Sequence, residues 1–178
     1  MNEYWDDTHF VDYNNVGLLI LRVALGAMLF YHGYTKAKSL EGTARWFASM
    51  GLHPSWLHAR MAAVTEMGFA TLLAAGLVNP LACAGLIGLM TTAALTDHKG
   101  KGFFIYNGGW EYVGIVGVTA AVLALIGPGG LSLDRAFGWS LYGWPWFTLA
   151  SALGVLSGIA LVVASKRFFP TDRASEAG

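Results

Sequence analysis

The sequence predicts an all-α integral membrane protein with five transmembrane spans, its N-terminus outside and its C-terminus in the cytoplasm. Composition gives the class. Of 178 residues, 55% are hydrophobic and 12% charged, against roughly 25% charged in an ordinary soluble domain, and the mean hydropathy is +0.50. Five apolar runs, at 16–36, 59–77, 80–98, 109–127 and 146–165, approach the roughly 20 residues that cross a bilayer core of about 30 Å. The third observation is a charge asymmetry hidden in the net charge of zero. Lys36, Lys38, Arg45, Arg60, Lys99, Lys101, Lys166, Arg167 and Arg173 all fall on one side of the five spans, and Arg135 alone falls on the other. Cations gather on the cytoplasmic side, which sets the orientation.

Residues 1–15 form a polar, aromatic tail with Glu3, Asp6, Asp7 and Asp12 and no Lys or Arg, suited to translocation. It has neither the basic nor the apolar region of a cleavable signal peptide, so the first span is expected to act as the targeting signal. Asp6, Asp7, His9 and Asp12 match no metal-ligand spacing and read as a solvated acidic tail.

The first span reads VGLLILRVALGAMLFYHGYTK. Helical spacing puts Arg22, Gly26, Leu29, Gly33 and Lys36 on one stripe, which should turn away from lipid. In the 37–58 connection Leu40, Ala44, Phe47 and Met50 recur at helical spacing, predicting an interfacial helix of about ten residues stopped by Gly51 and Pro54. Its Trp46, with Trp56 beyond it, reads either as inner aromatic belt or as part of a flap over a cavity between the first two spans.

Val78-Asn79-Pro80 makes a tight outer turn between the second and third spans. Cys83 is the one cysteine, which excludes an intramolecular disulfide and Cys-x-x-Cys chemistry; a lone Cys on an apolar helix is most often a buried hydrophobe. The segment from Lys99 to Gly109 carries four glycines with Phe103, Phe104 and Tyr106, and should fold back on the cytoplasmic mouth. Trp139, Tyr142, Trp144 and Trp146 mark the outer headgroup region. In the fifth span Ser151, Gly154, Ser157 and Gly158 permit close helix packing. Residues from Pro170 form a tail. There is no internal repeat, and no nucleic-acid partner is expected.

Ionisable groups inside apolar spans face a bundle interior and find partners. From span midpoints, Arg22 lies roughly 6 Å outward of the midplane and Glu66 roughly 3 Å inward, so the two are predicted to pair. His32 and Glu111 share a level roughly 9–10 Å inward, with Lys36, Asp97 and His98 just beneath. A polar pocket at the cytoplasmic end follows, made from His32, Lys36, Glu66, Asp97, His98 and Glu111 and roofed by aromatics of the Trp46–Phe47 and Phe103–Tyr106 segments. Such a pocket supplies the donors and proton route of a quinone site. The alternative is a salt-bridged network that only fixes helix register. A metal site from His32, His98, Glu66 and Glu111 lacks any i, i+3 or i, i+4 ligand pair.

The chain resembles the DoxX family of bacterial membrane proteins. The resemblance rests on Leu21-Arg22, His32-Gly33-Tyr34-Thr35-Lys36, Glu66, His98, Gly108-Gly109-Trp110-Glu111-Tyr112 and Gly127-Pro128-Gly129-Gly130-Leu131-Ser132-Leu133-Asp134, in order over about 120 residues. It implies a four-helix transmembrane core (16–137) in the bacterial inner membrane. The acidic tail, the outer aromatic loop with the fifth helix (138–167) and the cytoplasmic tail (168–178) lie outside that core, where helix and loop are free to serve other subunits. The family includes the DoxD subunit of a thiosulfate:quinone oxidoreductase, and some members are described as parts of membrane oxidoreductase complexes. The resemblance therefore implies a quinone-linked subunit of a redox complex. His32, Glu111, Lys36 and His98 are the candidates for proton chemistry; Glu66, Arg22, Asp97, Trp110, Tyr112 and Phe103 are the candidates for holding the ligand. No haem, flavin or iron–sulfur signature is present. The rival expectations are a non-catalytic assembly subunit and a small proton-coupled carrier.

Overall fold

The computed structural model describes residues 13–168, which form seven α-helices and one short 3₁₀ turn, with no strand among them. The acidic cluster at residues 6–12 and the tail from Pro170 lie outside the described residues. The helices are α1 (Tyr13–Lys38), α2 (Leu40–Ser49), α3 (Ser55–Ala75), α4 (Asn79–Leu95), α5 (Glu111–Ile126), α6 (Leu133–Ala136) and α7 (Trp144–Phe168), with the 3₁₀ turn at Ile105–Asn107. Helices α1, α3, α4, α5 and α7 coincide with the five apolar runs. By length and composition α1 and α7 are apolar enough to cross a membrane, while α4 and α5 are shorter apolar helices.

The buried stripe of α1 contains Arg22, Gly26, Leu29 and Gly33, as its spacing predicts, with Lys36 half-buried below. The glycines let α1 lie directly on α3. A Cβ on Gly26 would stand 2.8 Å from the Ala70 carbonyl oxygen, and one on Gly33 would stand 2.9 Å from Glu66 Cβ. The same device joins α4 to α7. Ala150, Gly154, Gly158, Val162 and Ser165 recur every three to four residues on the buried side of α7. A Cβ on Gly158 would meet the Gly88 carbonyl at 2.8 Å, so the small-residue face of α7 is occupied by α4. The opposite face, with Leu149, Leu156 and Val163, is exposed. Between the α1–α3 pair and the α4–α5–α7 group lies the core, built on Leu29, Leu73, Ala82, Cys83, Leu86 and Leu123.

The connection after α1 contains the expected helix of ten residues, α2, which buries Thr43 and Phe47 and ends before Gly51 at φ +76°. The third span is shorter than its apolar run. Helix α4 stops at Leu95, so Asp97 and His98 stand on the turn that follows.

The end of the bundle away from Lys36 is closed by a knot of hydrogen bonds that composition does not reveal. Arg22, fully buried, donates from Nη1 to the carbonyls of Leu73 (3.3 Å) and Ala74 (2.9 Å), and from Nη2 to Leu131 O (2.6 Å). Leu73 and Ala74 lie in the last turn of α3, where the helix dipole places its negative end, and Leu131 lies on the loop before α6. Asp134, also buried, accepts from the backbone N–H of Val78 (2.6 Å) and Asn79 (2.9 Å) at the start of α4. Asn79 Nδ2 donates to Leu123 O, and Asn15 Oδ1 accepts from Gly130 N. The Gly-Pro-Gly-Gly-Leu-Ser-Leu-Asp stretch is thus a latch across the ends of α1, α3, α4 and α5 that lie away from Lys36.

This corrects the expected Arg22–Glu66 pair. Glu66 faces Gly33, which lies eleven residues beyond Arg22 on α1, about 16 Å along the axis. Arg22 reaches outward, and Glu66 takes another partner.

Candidate functional site

Residues of α1, α2, α3 and α4 meet around one space toward the end that carries Lys36, Arg60 and Lys99. They enclose a cavity of about 650 Å³, within the range of roughly 300–1,000 Å³ typical of small-molecule sites. Its walls are mostly apolar, with Leu29, Phe69, Leu89 and Val113 among them. Polar groups gather at one end.

Lys36 and Glu66 form the centre of that end. Nζ of Lys36 lies 2.6 Å from both carboxylate oxygens of Glu66, and the side chains are 17% and 11% exposed. One turn above Lys36, the His32 ring stands 5.9 Å from that of Tyr112, which reaches in from α5. His98 donates from Nδ1 to the Gly108 carbonyl at 2.6 Å. Because a carbonyl only accepts, Nδ1 carries the hydrogen in this bond and Nε2 is the ring nitrogen turned to other partners. That nitrogen is 3.9 Å from Asp97, whose carboxylate also meets Lys101 at the surface, 3.2 Å away. A chain of titratable groups therefore runs from the cavity to the exterior.

Of the six residues expected to form the pocket, His32, Lys36, Glu66, Asp97 and His98 line the cavity, as does Tyr112. Glu111 does not. Its Oε2 accepts the N–H of Ile105 (3.0 Å), and its own N–H donates to Phe103 O, so it pins the loop instead. Its position at the first turn of α5 explains this: a short carboxylate there meets the N–H groups of the preceding loop before it can reach inward. Phe103 and Trp110 stack edge to face at 4.9 Å on the outside of that loop, and Ile105 is the loop residue that touches the cavity. Arg22 belongs to the outer latch. The expected roof is half right: Trp46 and Phe47 line the cavity, as a flap would.

His58 was missed. It lines the cavity from the first turn of α3, and its Nε2 donates to the His53 carbonyl at 3.2 Å. A signal existed, because His58, Ala62, Thr65, Glu66 and Phe69 share one helical face, and Glu66 alone drew attention to it. No group of three or more His, Cys, Asp or Glu side chains with metal-binding geometry occurs among the described residues.

Fold and site together define a helical membrane protein with a polar-headed apolar cavity. Residues 17–99 match the DoxX family model. The chain is 35% identical over 122 residues to "Putative oxidoreductase CatD" of Bacillus subtilis, covering 67% of this chain and 85% of that one. It is 33% identical over 125 residues to inner membrane protein YphA of Escherichia coli, covering 66% and 88%. No solved structure matches. This chain belongs to the DoxX family.

Proposed function

We propose that the protein is a multi-pass subunit of a redox complex in the bacterial inner membrane, and that its cavity binds the ring of a quinone. On this reading α1, α3, α4, α5 and α7 cross the bilayer with the N-terminus outside. The clustering of Lys36, Lys38, Arg45, Arg60, Lys99, Lys101, Lys166 and Arg167 at one end supports that orientation. The names of the two relatives, an oxidoreductase and an inner membrane protein, agree with it.

One observation carries the proposal: an apolar cavity of about 650 Å³ whose polar donors His32 and Lys36 stand at the end that also holds Glu66 and His98. The donor set fits the ligand. A quinone ring needs apolar walls and hydrogen-bond donors to two carbonyl oxygens, which His32 and the Lys36 ammonium supply. When bound, the quinone supplies two-electron, two-proton chemistry, with the electrons coming from a partner's cofactor. This chain's residues bind, orient and deliver protons. Glu66 fixes the position of the Lys36 ammonium through both carboxylate oxygens. His98 and Asp97 link the cavity to water, and α2 excludes bulk solvent. Partner subunits dock on the exposed face of α7 and the outer aromatic segment around Trp139 and Trp144, both unburied in the single chain.

The outer latch weighs against a carrier. Arg22, Asn79 and Asp134 fill that end with bonded, buried groups and leave no polar path through it. The test is lipid extraction of the purified protein. A membrane quinone should copurify, and His32→Ala should release it while the protein stays folded. Quinone retained by that variant overturns the assignment.

A further inference from the structure

The polar groups occupy one end of the cavity, yet its floor runs most of the length of α4. Leu81, Gly85, Leu89, Thr92 and Thr96 line it at steps of four, four, three and four, one stripe of the helix. From Leu81 to Thr96 that stripe measures about 22 Å at 1.5 Å per residue. A ring and its donors fill only one end of such a slot.

The walls are α3 and α7, which both pack on α4 and leave the slot between them. Met61 on one wall and Leu153 on the other are 42% and 53% exposed, so the slot opens sideways, where bilayer hydrocarbon stands. Hydroxyl groups line it, but none is offered to a ligand as a donor. Thr65 donates to Met61 O, Thr92 to Gly88 O, Thr96 to Thr92 O and Ser157 to Gly154 O, each on its own helix. The slot presents methyl and methylene groups. Midway, the Phe69 ring lies over Gly85, where any Cβ would run into it. Leu153 stands at the same level, since its neighbour Gly154 rests against the Ala84 carbonyl.

We propose that this slot takes the isoprenoid tail of the same quinone, which enters sideways from the membrane between α3 and α7, past Phe69 and Leu153. The proposal rests on the reading of the polar end as a quinone site. Lipid chains are as apolar as an isoprenoid, so the slot cannot hold the tail by hydrophobicity alone. The head group tethers it, which raises the tail's local concentration in the slot. The small residues at Ala84, Gly85 and Gly88 provide the depth.

The test is photolabelling of the full chain in lipid nanodiscs with a menaquinone analogue bearing a diazirine in mid-tail, with adducts mapped by mass spectrometry. Adducts are expected on Phe69, Leu89 and Leu153, and excess unlabelled menaquinone should suppress them. Leu153→Trp, at an exposed position, should cut labelling of Phe69 and Leu89 by about tenfold, whereas Leu156→Trp on the outer face of α7 should not. A tenfold change corresponds to about 1.4 kcal/mol. Labelling spread equally over the exposed residues Ile20, Ile115 and Val118 overturns the slot. Slot labelling suppressed by an isoprenoid alcohol without a ring, but not by menaquinone, leaves the slot standing and overturns the quinone reading.

Discussion

The Lys36–Glu66 pair distinguishes a functional pocket from a network that merely fixes helix register, and a set of three variants separates the two. Both oxygens of Glu66 lie 2.6 Å from Lys36 Nζ, and neither side chain is more than 17% exposed. Replacing Glu66 with Met leaves an ammonium group facing an apolar cavity. Breaking a buried pair in this way costs about 3–5 kcal/mol, and the residual exposure here places the cost near the lower end, about 3 kcal/mol. Replacing both residues with Met removes the orphaned charge, and apolar replacements of a buried pair are often neutral or stabilising. Reversible unfolding in mixed micelles should therefore show Glu66→Met strongly destabilised and the Lys36→Met, Glu66→Met double variant near the parent protein. Quinone content should fall in both. A double variant that recovers stability and keeps its quinone refutes the functional role of the pair. A neutral Glu66→Met refutes the claim that the pair is held out of water.

Other outcomes follow from the same geometry. Arg22→Leu strands the carbonyls of Ala74 and Leu131 and removes a cation that interacts with buried Asp134, so it should destabilise the fold by about 3–5 kcal/mol, while any folded fraction retains quinone. Gly33→Val drives a side chain into Glu66 and Met67 and should cost about 1–3 kcal/mol by overpacking, read by the same unfolding assay. Glu111→Ala should speed hydrogen exchange at Ile105 without releasing quinone, because this carboxylate pins the loop rather than the ligand. Arg45→Ala should change stability by no more than about 0.5 kcal/mol, since the Glu41–Arg45 pair is 87% and 72% exposed.

What was legible in the sequence was whatever depends on periodicity. The stripe from Arg22 to Gly33 is buried because its steps match a helix, and α2 ends where Gly51 and the proline behind it stop it. The convergence of His32, Lys36, Glu66 and His98 followed from depth alone, since five antiparallel or parallel rods bring residues of equal depth together. Pairing did not follow. From span midpoints Arg22 and Glu66 differ in depth by roughly 9 Å, much of which a long Arg side chain closes, but the register of α1 on α3 is set by Gly26 and Gly33, and it places Arg22 beside the end of α3, far from the level of Glu66. Glu111 shares the level of His32, yet its rotation about α5 points it to the loop. Depth is a one-dimensional coordinate; pairing also needs helix phase and register, which come from contacts between glycines and partner backbones. His58 was missed for the converse reason, because its phase was readable but its place at a helix start drew no attention.

The central claim is that the cavity holds a quinone by His32 and Lys36. The most direct measurement is the molar ratio of extracted quinone to purified protein, for the parent chain and for His32→Ala in the same detergent, with helicity monitored by circular dichroism. A ratio near one in the parent, falling by about tenfold in His32→Ala at unchanged helicity, is the predicted result; that fall corresponds to about 1.4 kcal/mol. No quinone in the parent, or an unchanged ratio in the variant, contradicts it.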